Sequence, residues 1–95
     1  MSEMIDDAVA ALKTMLPDGF DGLAKFVIPG EGTIMLDPSG PRAADGEADV
    51  TMTAAAEVFK GIISGDTSPT VAFMTGKLTV DGNVGLAMKL AAALG

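Results

Sequence analysis

The last segment of the chain, residues 84–94, constrains the fold most strongly, because it predicts a helix that is apolar almost all the way round. Its large side chains fall in two rows at helical spacing, one of Val84, Met88 and Ala91 and the other of Leu86, Leu90 and Leu94. Lys89 carries its only charge. Such a helix needs two apolar neighbours. One is a sheet, and the other is a second helix, a partner chain or a ligand. The sequence leaves open which row meets the sheet.

The preceding residues alternate between helical and extended patterns. Apolar spacing predicts helices over 3–16, 54–64, 69–75 and 84–94, with N-caps at Ser2, Thr53, Ser68 and Asn83. Strands are predicted over 24–29, 33–37, 47–53 and 77–81. The first two strands form a hairpin around Gly30–Gly32, and residues 38–46 predict a loop with at most a short edge strand near 42–44.

This order of elements predicts an α+β fold. We expect one domain spanning residues 1–95, because a chain of 95 residues has room for a single core. Hairpins and segregated helices favour a mixed, antiparallel-rich sheet of about five strands, with the helices packed on one face.

The composition excludes several kinds of chemistry. The chain has no Cys and no His, which removes thiolate nucleophiles, histidine bases and the usual zinc sites. Asp45, Glu47 and Asp49 have the spacing of the start of a calcium loop, but Val50 stands where that loop needs glycine and Ala56 where it needs glutamate. The neighbouring carboxylates are explained by helix starts and loops. We therefore expect no enzyme activity, no metal and no cofactor.

The net charge of −7 limits the partners. Nucleic acids need clustered cations, and anionic membranes attract polybasic segments, so we expect no nucleic-acid binding and at most transient membrane contact. The start of the chain is acidic and lacks the pattern of a signal peptide, and no run is long enough to span a bilayer. The expected location is cytoplasmic.

The apolar side chains are aliphatic and deformable. Hydrophobic residues make up 48% of the chain, with seven Met and only four Phe as aromatics. Methionine fills irregular gaps and suits surfaces that accept variable apolar partners. Beside the apolar last helix, this composition favours an internal cavity. For any single methionine, an ordinary core is the favoured interpretation.

The segment 69–90 carries a specific resemblance. It runs from Pro69 through Phe-Met-Thr-Gly-Lys at 73–77 and Gly-Asn at 82–83 to Leu-Ala-Met-Lys-Leu at 86–90. This pattern closely resembles the C-terminal signature of the sterol carrier protein 2 family. The hairpin around Gly30–Gly32 and the strand–helix step after Asp49 resemble further parts of the family, so the likeness extends over residues 4–94.

Two features depart from the family pattern. Residues 38–48 are few compared with the family, which predicts that one strand there is trimmed or lost. The C-terminal Ala-Leu-Gly differs from the peroxisomal address of some members, and so favours a free-standing, bacterial-type member in the cytoplasm.

The resemblance implies a hydrophobic tunnel between sheet and helices. It implies binding and transfer of fatty acyl chains, sterol-like lipids, phospholipid or acyl-CoA, with no covalent step. The last helix is then a movable wall of the tunnel. The candidate lining residues are Phe59, Ile62, Ile63, Val71, Met74, Leu78, Val80, Leu86, Met88 and Leu90.

Two other functions stay open at this level. The apolar last helix suits an interaction module that pairs with another subunit, so the chain is expected to be a monomer or a weak dimer. Alternatively, the domain holds a lipid for the active site of a partner enzyme. Lysines 77 and 89 are the cations nearest the motif, and the sequence gives neither a head-group role.

Overall fold

The computed structural model describes residues 2–95, in nine regular elements. The helices are α1 (Glu3–Met15), α2 (Ala56–Ser64), α3 (Pro69–Met74) and α4 (Val84–Leu94). The strands are β1 (Ala24–Ile28), β2 (Gly32–Asp37), β3 (Gly40–Ala43), β4 (Val50–Ala54) and β5 (Leu78–Gly82). No helix in this range is long and apolar enough to cross a membrane.

The five strands form one mixed sheet in the order β3-β2-β1-β4-β5. The central pair, β1 and β4, is parallel, and the other three pairs are antiparallel. Phe26 lies opposite both Ile34 and Met52, so these three buried side chains share one face of the sheet. The helices cover that face and close a single core over it. The expected α+β class and architecture are confirmed.

Local capping explains three of the four helix starts. The Ser2 hydroxyl accepts a hydrogen bond from the Ile5 N–H, Ser68 from the Val71 N–H, and Asn83 from the Leu86 N–H. The expected cap at Thr53 is wrong. Strand β4 continues through Ala54, and Ala55 precedes α2 without a side-chain cap. The pairing of β4 with both of its neighbours outweighs the capping preference of a threonine.

Two strand boundaries also differ from the sequence-based expectation. Strand β4 begins at Val50, because residues 44–48 have no ladder partner. The edge strand β3 begins two residues before the expected 42–44, and the sheet has the expected five strands, so no strand is lost. Pro41 lies within it opposite Leu36, which an edge strand tolerates.

The outer face of the sheet is polar. Arg42 donates to the Asp37 carboxylate at 2.7 Å on this side, and Lys25 lies 3.3 Å from Asp45. The Arg42 hydrogen bond, together with one donated by the Ser39 N–H, holds the pKa of the Asp37 carboxyl below its usual 3.8. Apart from Met35, which is buried on this side opposite Lys25 and Arg42, this face presents mainly polar side chains, and the main apolar core lies on the helical side.

Candidate functional site

A cleft of about 420 Å³ lies between α3, β5 and α4. Its size falls within the range of roughly 300–1,000 Å³ that small-molecule sites occupy. Twelve residues line it: Met52, Pro69, Thr70, Phe73, Met74, Leu78, Val80, Val84, Ala87, Met88, Ala91 and Ala92. Thr70 brings the only polar side chain in this set, so the cleft is built to hold hydrocarbon.

Helix α3 forms one wall of the cleft, and the sequence defines both of its ends. Pro69 occupies the first helical position, where its missing N–H costs nothing, and Ser68 caps the helix before it. After Thr75 the chain passes through Gly76 at φ 78° and enters β5. This turn places Phe73 and Met74 beside Leu78, on the open side of the cleft.

Helix α4 forms the opposite wall of the cleft. Its two apolar rows have different neighbours. Leu90 and Leu94 of one row are buried in the core together with Ala87. The other row, Val84, Met88 and Ala91, lines the cleft. The row that packs in the core thus carries the large leucines, and the row that meets the cleft carries valine, methionine and alanine.

On its outer side, α4 contacts the loop before β1 through Lys89. The Lys89 ammonium lies 3.1 Å from the Asp21 carboxylate and 5.9 Å from the centre of the Phe20 ring. Lys89 therefore faces away from the cleft. Within residues 2–95, none of the side chains that line the cleft carries a charge.

The cleft is open to solvent along one side. Phe73 and Met74 from α3 and Val84 and Met88 from α4 all line it, yet each is more than half exposed. The expected closed tunnel thus stays a prediction, and the observed cavity is a surface cleft.

The structure brings four of the ten predicted lining residues together in the cleft: Met74, Leu78, Val80 and Met88. Three others, Phe59, Ile62 and Leu90, are buried in the core. Leu86 and Ile63 are partly buried against the core, and Val71 is 55% exposed outside the cleft. We therefore propose lipid contact only for the four residues that line the cleft. The other six predicted residues do not line it.

The sequence did contain a signal for some of the lining residues that were missed. Val84 and Ala91 share an apolar row with Met88, and that row as a whole lines the cleft. Phe73 precedes Met74 in the motif. Met52 carried no such signal, because its position under α4 depends on strand order.

A second pocket, of about 270 Å³, lies between α1 and α2. Its lining includes the charged residues Glu3, Asp7 and Lys60. This pocket is smaller and more polar than the α3–β5–α4 cleft. The described residues contain no cluster of acidic side chains that would hold a metal ion.

Solved structures share this fold. The sterol carrier protein 2 of Aedes aegypti, determined in complex with C16 fatty acid (palmitate), aligns with a TM-score of 0.78 at 23% identity, covering 99% of this chain and 96% of that one. The sterol carrier protein domain 2 of Helicoverpa armigera aligns with a TM-score of 0.68 at 26% identity, covering 95% of this chain and 81% of that one.

Curated relatives are similar in sequence but much longer. Hydroxysteroid dehydrogenase-like protein 2 of Rattus norvegicus is 45% identical over 74 residues, covering 70% of this chain and 14% of that protein. The Danio rerio protein of the same name is 35% identical over 98 residues, covering 95% of this chain and 24% of that protein. The model of the SCP-2 sterol transfer family matches residues 17–95. The chain therefore belongs to the SCP-2 sterol transfer family.

Proposed function

We propose that the protein binds the acyl chain of one lipid in the cleft between α3, β5 and α4, and transfers that lipid without covalent chemistry. The observation that carries this proposal is the lining of the cleft, in which eleven of the twelve residues have apolar side chains. A hydrocarbon chain is the ligand class that this lining matches.

The energetics agree with a carrier that releases its cargo. Each buried methylene contributes about 0.8 kcal/mol, so about 12 methylenes give on the order of 10 kcal/mol before the cost of ordering the chain. Methionine side chains at positions 52, 74 and 88 adapt to chains of different shape. The expected result is micromolar or tighter affinity with weak discrimination between acyl chains.

The comparisons support the same ligand class. The Aedes aegypti protein with the same fold was solved with palmitate bound, and the family is named for sterol transfer. The absence of histidine and cysteine from the sequence fits binding and release without a nucleophile.

Native mass spectrometry of the purified protein, followed by titration with a fluorescent fatty acid, tests the proposal. The sequence has no Trp and no Tyr, so the optical background is low. We expect one bound lipid per chain, displaced by the probe at a ratio of one to one. A mass without lipid and no probe uptake at tens of micromolar would refute the carrier function.

Two variants of α4 test whether the lipid binds in the cleft. Ala91 lines the cleft and Ala93 is exposed on the same helix outside it. Ala91→Phe fills the cavity, and the expected result is a weaker probe affinity by about tenfold or more. Ala93→Phe adds the same side chain outside the cleft and is expected to leave the affinity unchanged. Equal effects of the two variants would place the ligand elsewhere.

The length of the curated relatives favours a second candidate, a lipid-presenting domain beside an enzyme. This chain spans less than a quarter of the two dehydrogenase-like proteins. In that case the cleft holds an acyl or sterol-like substrate for a neighbouring active site. Addition of the separately purified dehydrogenase region distinguishes the two, because a presenting domain increases the turnover of a lipid substrate and the Ala91→Phe variant does not.

A further inference from the structure

Among residues 2–95, the large exposed apolar side chains are concentrated on two helices. They are Val71, Phe73 and Met74 on α3, and Val84 and Met88 on α4, with exposed fractions from 52% to 78%. We refer to these five residues as the α3–α4 face. Four of the five also line the cleft, so the face surrounds the opening through which a ligand enters.

The charge is distributed unevenly along the sequence. Residues 1–66 contain twelve carboxylates and four cations, a net charge of −8, whereas residues 67–95 contain Lys77, Asp81 and Lys89 and have a net charge of +1. Helices α3 and α4 contain no acidic residue. The exposed apolar side chains therefore lie in a part of the chain that has only one carboxylate, Asp81.

The first helix does not offer a comparable surface. The apolar side chains of α1, including Ile5, Ala8 and Leu12, are buried in the core. Its exposed side carries Glu3, Asp6 and Asp7. Helix α1 is thus committed to the sheet and presents negative charge to solvent.

We infer that the α3–α4 face docks transiently on the zwitterionic surface of a lipid bilayer, so that lipid passes directly between bilayer and cleft. This inference rests on the proposed function. A free acyl chain that passes through water exposes every methylene to solvent, and docking at the cleft opening avoids that exposure. The net charge of −7 opposes binding to anionic surfaces, so the surface expected is a zwitterionic one.

The chemistry of the face suits insertion into a bilayer. Its five side chains are Val, Phe and Met, which carry no charge and no hydrogen-bond donor that insertion would desolvate. Apolar side chains on a short helix insert into the boundary between head groups and acyl chains, with a strength that follows the buried apolar area.

Val71 separates docking from binding, because it belongs to the face but does not line the cleft. It lies three residues after the cap Ser68, whose hydroxyl accepts from the Val71 N–H. Glutamate at this position completes a capping box, so Val71→Glu is compatible with α3. The substitution places a charge on the α3–α4 face and leaves the cavity wall intact.

The matched control is Ala10→Glu. Ala10 is exposed on α1, far in sequence from the α3–α4 face, and the substitution adds the same charge to a helix. Both variants have a net charge one unit more negative than the parent protein, so any difference between them reports the position of the charge.

The test combines two measurements on the full chain. The first is the Kd of a fluorescent fatty acid without vesicles, and the second is the rate at which that probe leaves phosphatidylcholine vesicles for the protein. For the parent protein we expect a rate that rises with vesicle concentration. Val71→Glu is expected to keep its Kd and lose about tenfold in rate, with Ala10→Glu unchanged in both. Phosphatidylserine in the vesicles is expected to slow transfer at low salt only.

The outcomes separate this inference from the proposed function. A parent protein that takes up no probe refutes the proposed function. Normal uptake with equal transfer rates for Val71→Glu and the parent refutes membrane docking and leaves the carrier function standing. A dimer of the parent that Val71→Glu dissociates assigns the face to a second copy of the chain, and so also overturns the inference.

Discussion

The rings of Phe26 on β1 and Phe59 on α2 pack against each other, with centroids 5.1 Å apart and planes tilted by 55°. Both side chains are buried, with exposed fractions of 2% and 1%. This contact, favourable for aromatic pairs, fastens α2 to the centre of the sheet. Phe59 therefore belongs to the core beneath α2, and the cleft lies on the other side of β4, toward β5.

Truncation of Phe59 is expected to lower stability without weakening binding, and truncation of Phe73 is expected to weaken binding with little change in stability. Phe59→Leu leaves a gap against Phe26 and is expected to lower the free energy of unfolding by about 1–3 kcal/mol, with the fatty-acid Kd unchanged. Phe73 is 52% exposed and lines the cleft. Phe73→Ala is expected to weaken binding about tenfold and to change stability little. Urea denaturation and probe titration of both variants measure this, and weaker binding by Phe59→Leu would place α2 at the site.

The fold was largely predictable because its signals are local. Helix spacing, the caps at Ser2, Ser68 and Asn83, and the glycine-rich hairpin turn all depend on neighbours within a few residues. The false cap at Thr53 shows the limit of such signals. The same threonine pairs with β1 and β5, and these partners are distant in sequence.

The site was less predictable because it depends on which elements are neighbours. The sequence showed that α4 has two apolar rows, but not that the row with Leu90 is buried in the core while the row with Met88 lines the cleft. The apolar stripe of α2 has the same pattern as a cavity wall, yet α2 packs beside α1 and over Phe26. An apolar stripe identifies a buried face and does not say whether the neighbour is protein or ligand.

Gly82 is expected to be intolerant of any side chain. It has φ +104°, and a Cβ atom there would collide with the Asp49 carbonyl oxygen and lie 3.2 Å from the Val50 Cα. Gly82→Ala is expected to cost at least about 1–3 kcal/mol of stability. Gly46→Ala is the control, since a Cβ at Gly46 meets nothing within 4 Å. Thermal unfolding compares the two variants, and equal melting temperatures would contradict this account of the β5–α4 junction.

The pair of Arg42 and Asp37 predicts an acid-dependent contribution to stability. Since Arg42 lowers the pKa of Asp37 in the folded protein, the contribution is present above the usual value of 3.8 and is lost as the pH falls through the lowered pKa. Arg42→Gln is thus expected to be less stable than the parent at neutral pH, with the difference shrinking below pH 3.8.

Chemical denaturation at a series of pH values measures the difference between Arg42→Gln and the parent protein. Lys13→Gln removes the same charge from the exposed side of α1 and serves as the control for net charge. A difference that stays constant from neutral pH into acid would show that Arg42 acts through packing of its side chain, and not through the Asp37 carboxylate.

The cleft is expected to bind lipids through their acyl chains, with little dependence on the charge of their head groups. Its lining contains no cation, and Lys89, the one charge on α4, is held by Asp21 outside the cavity. A carboxylate buried without a partner would pay a large desolvation penalty, so the head group of a bound fatty acid remains in solvent at the cleft opening. Palmitate, its methyl ester and hexadecanol are therefore expected to compete for the fluorescent probe with affinities within about threefold of one another, and with little dependence on salt. A preference of more than about tenfold for palmitate, weakened by salt, would contradict this and require a cation at the site. Lys77, in the turn between α3 and β5, would then be the side chain to replace first.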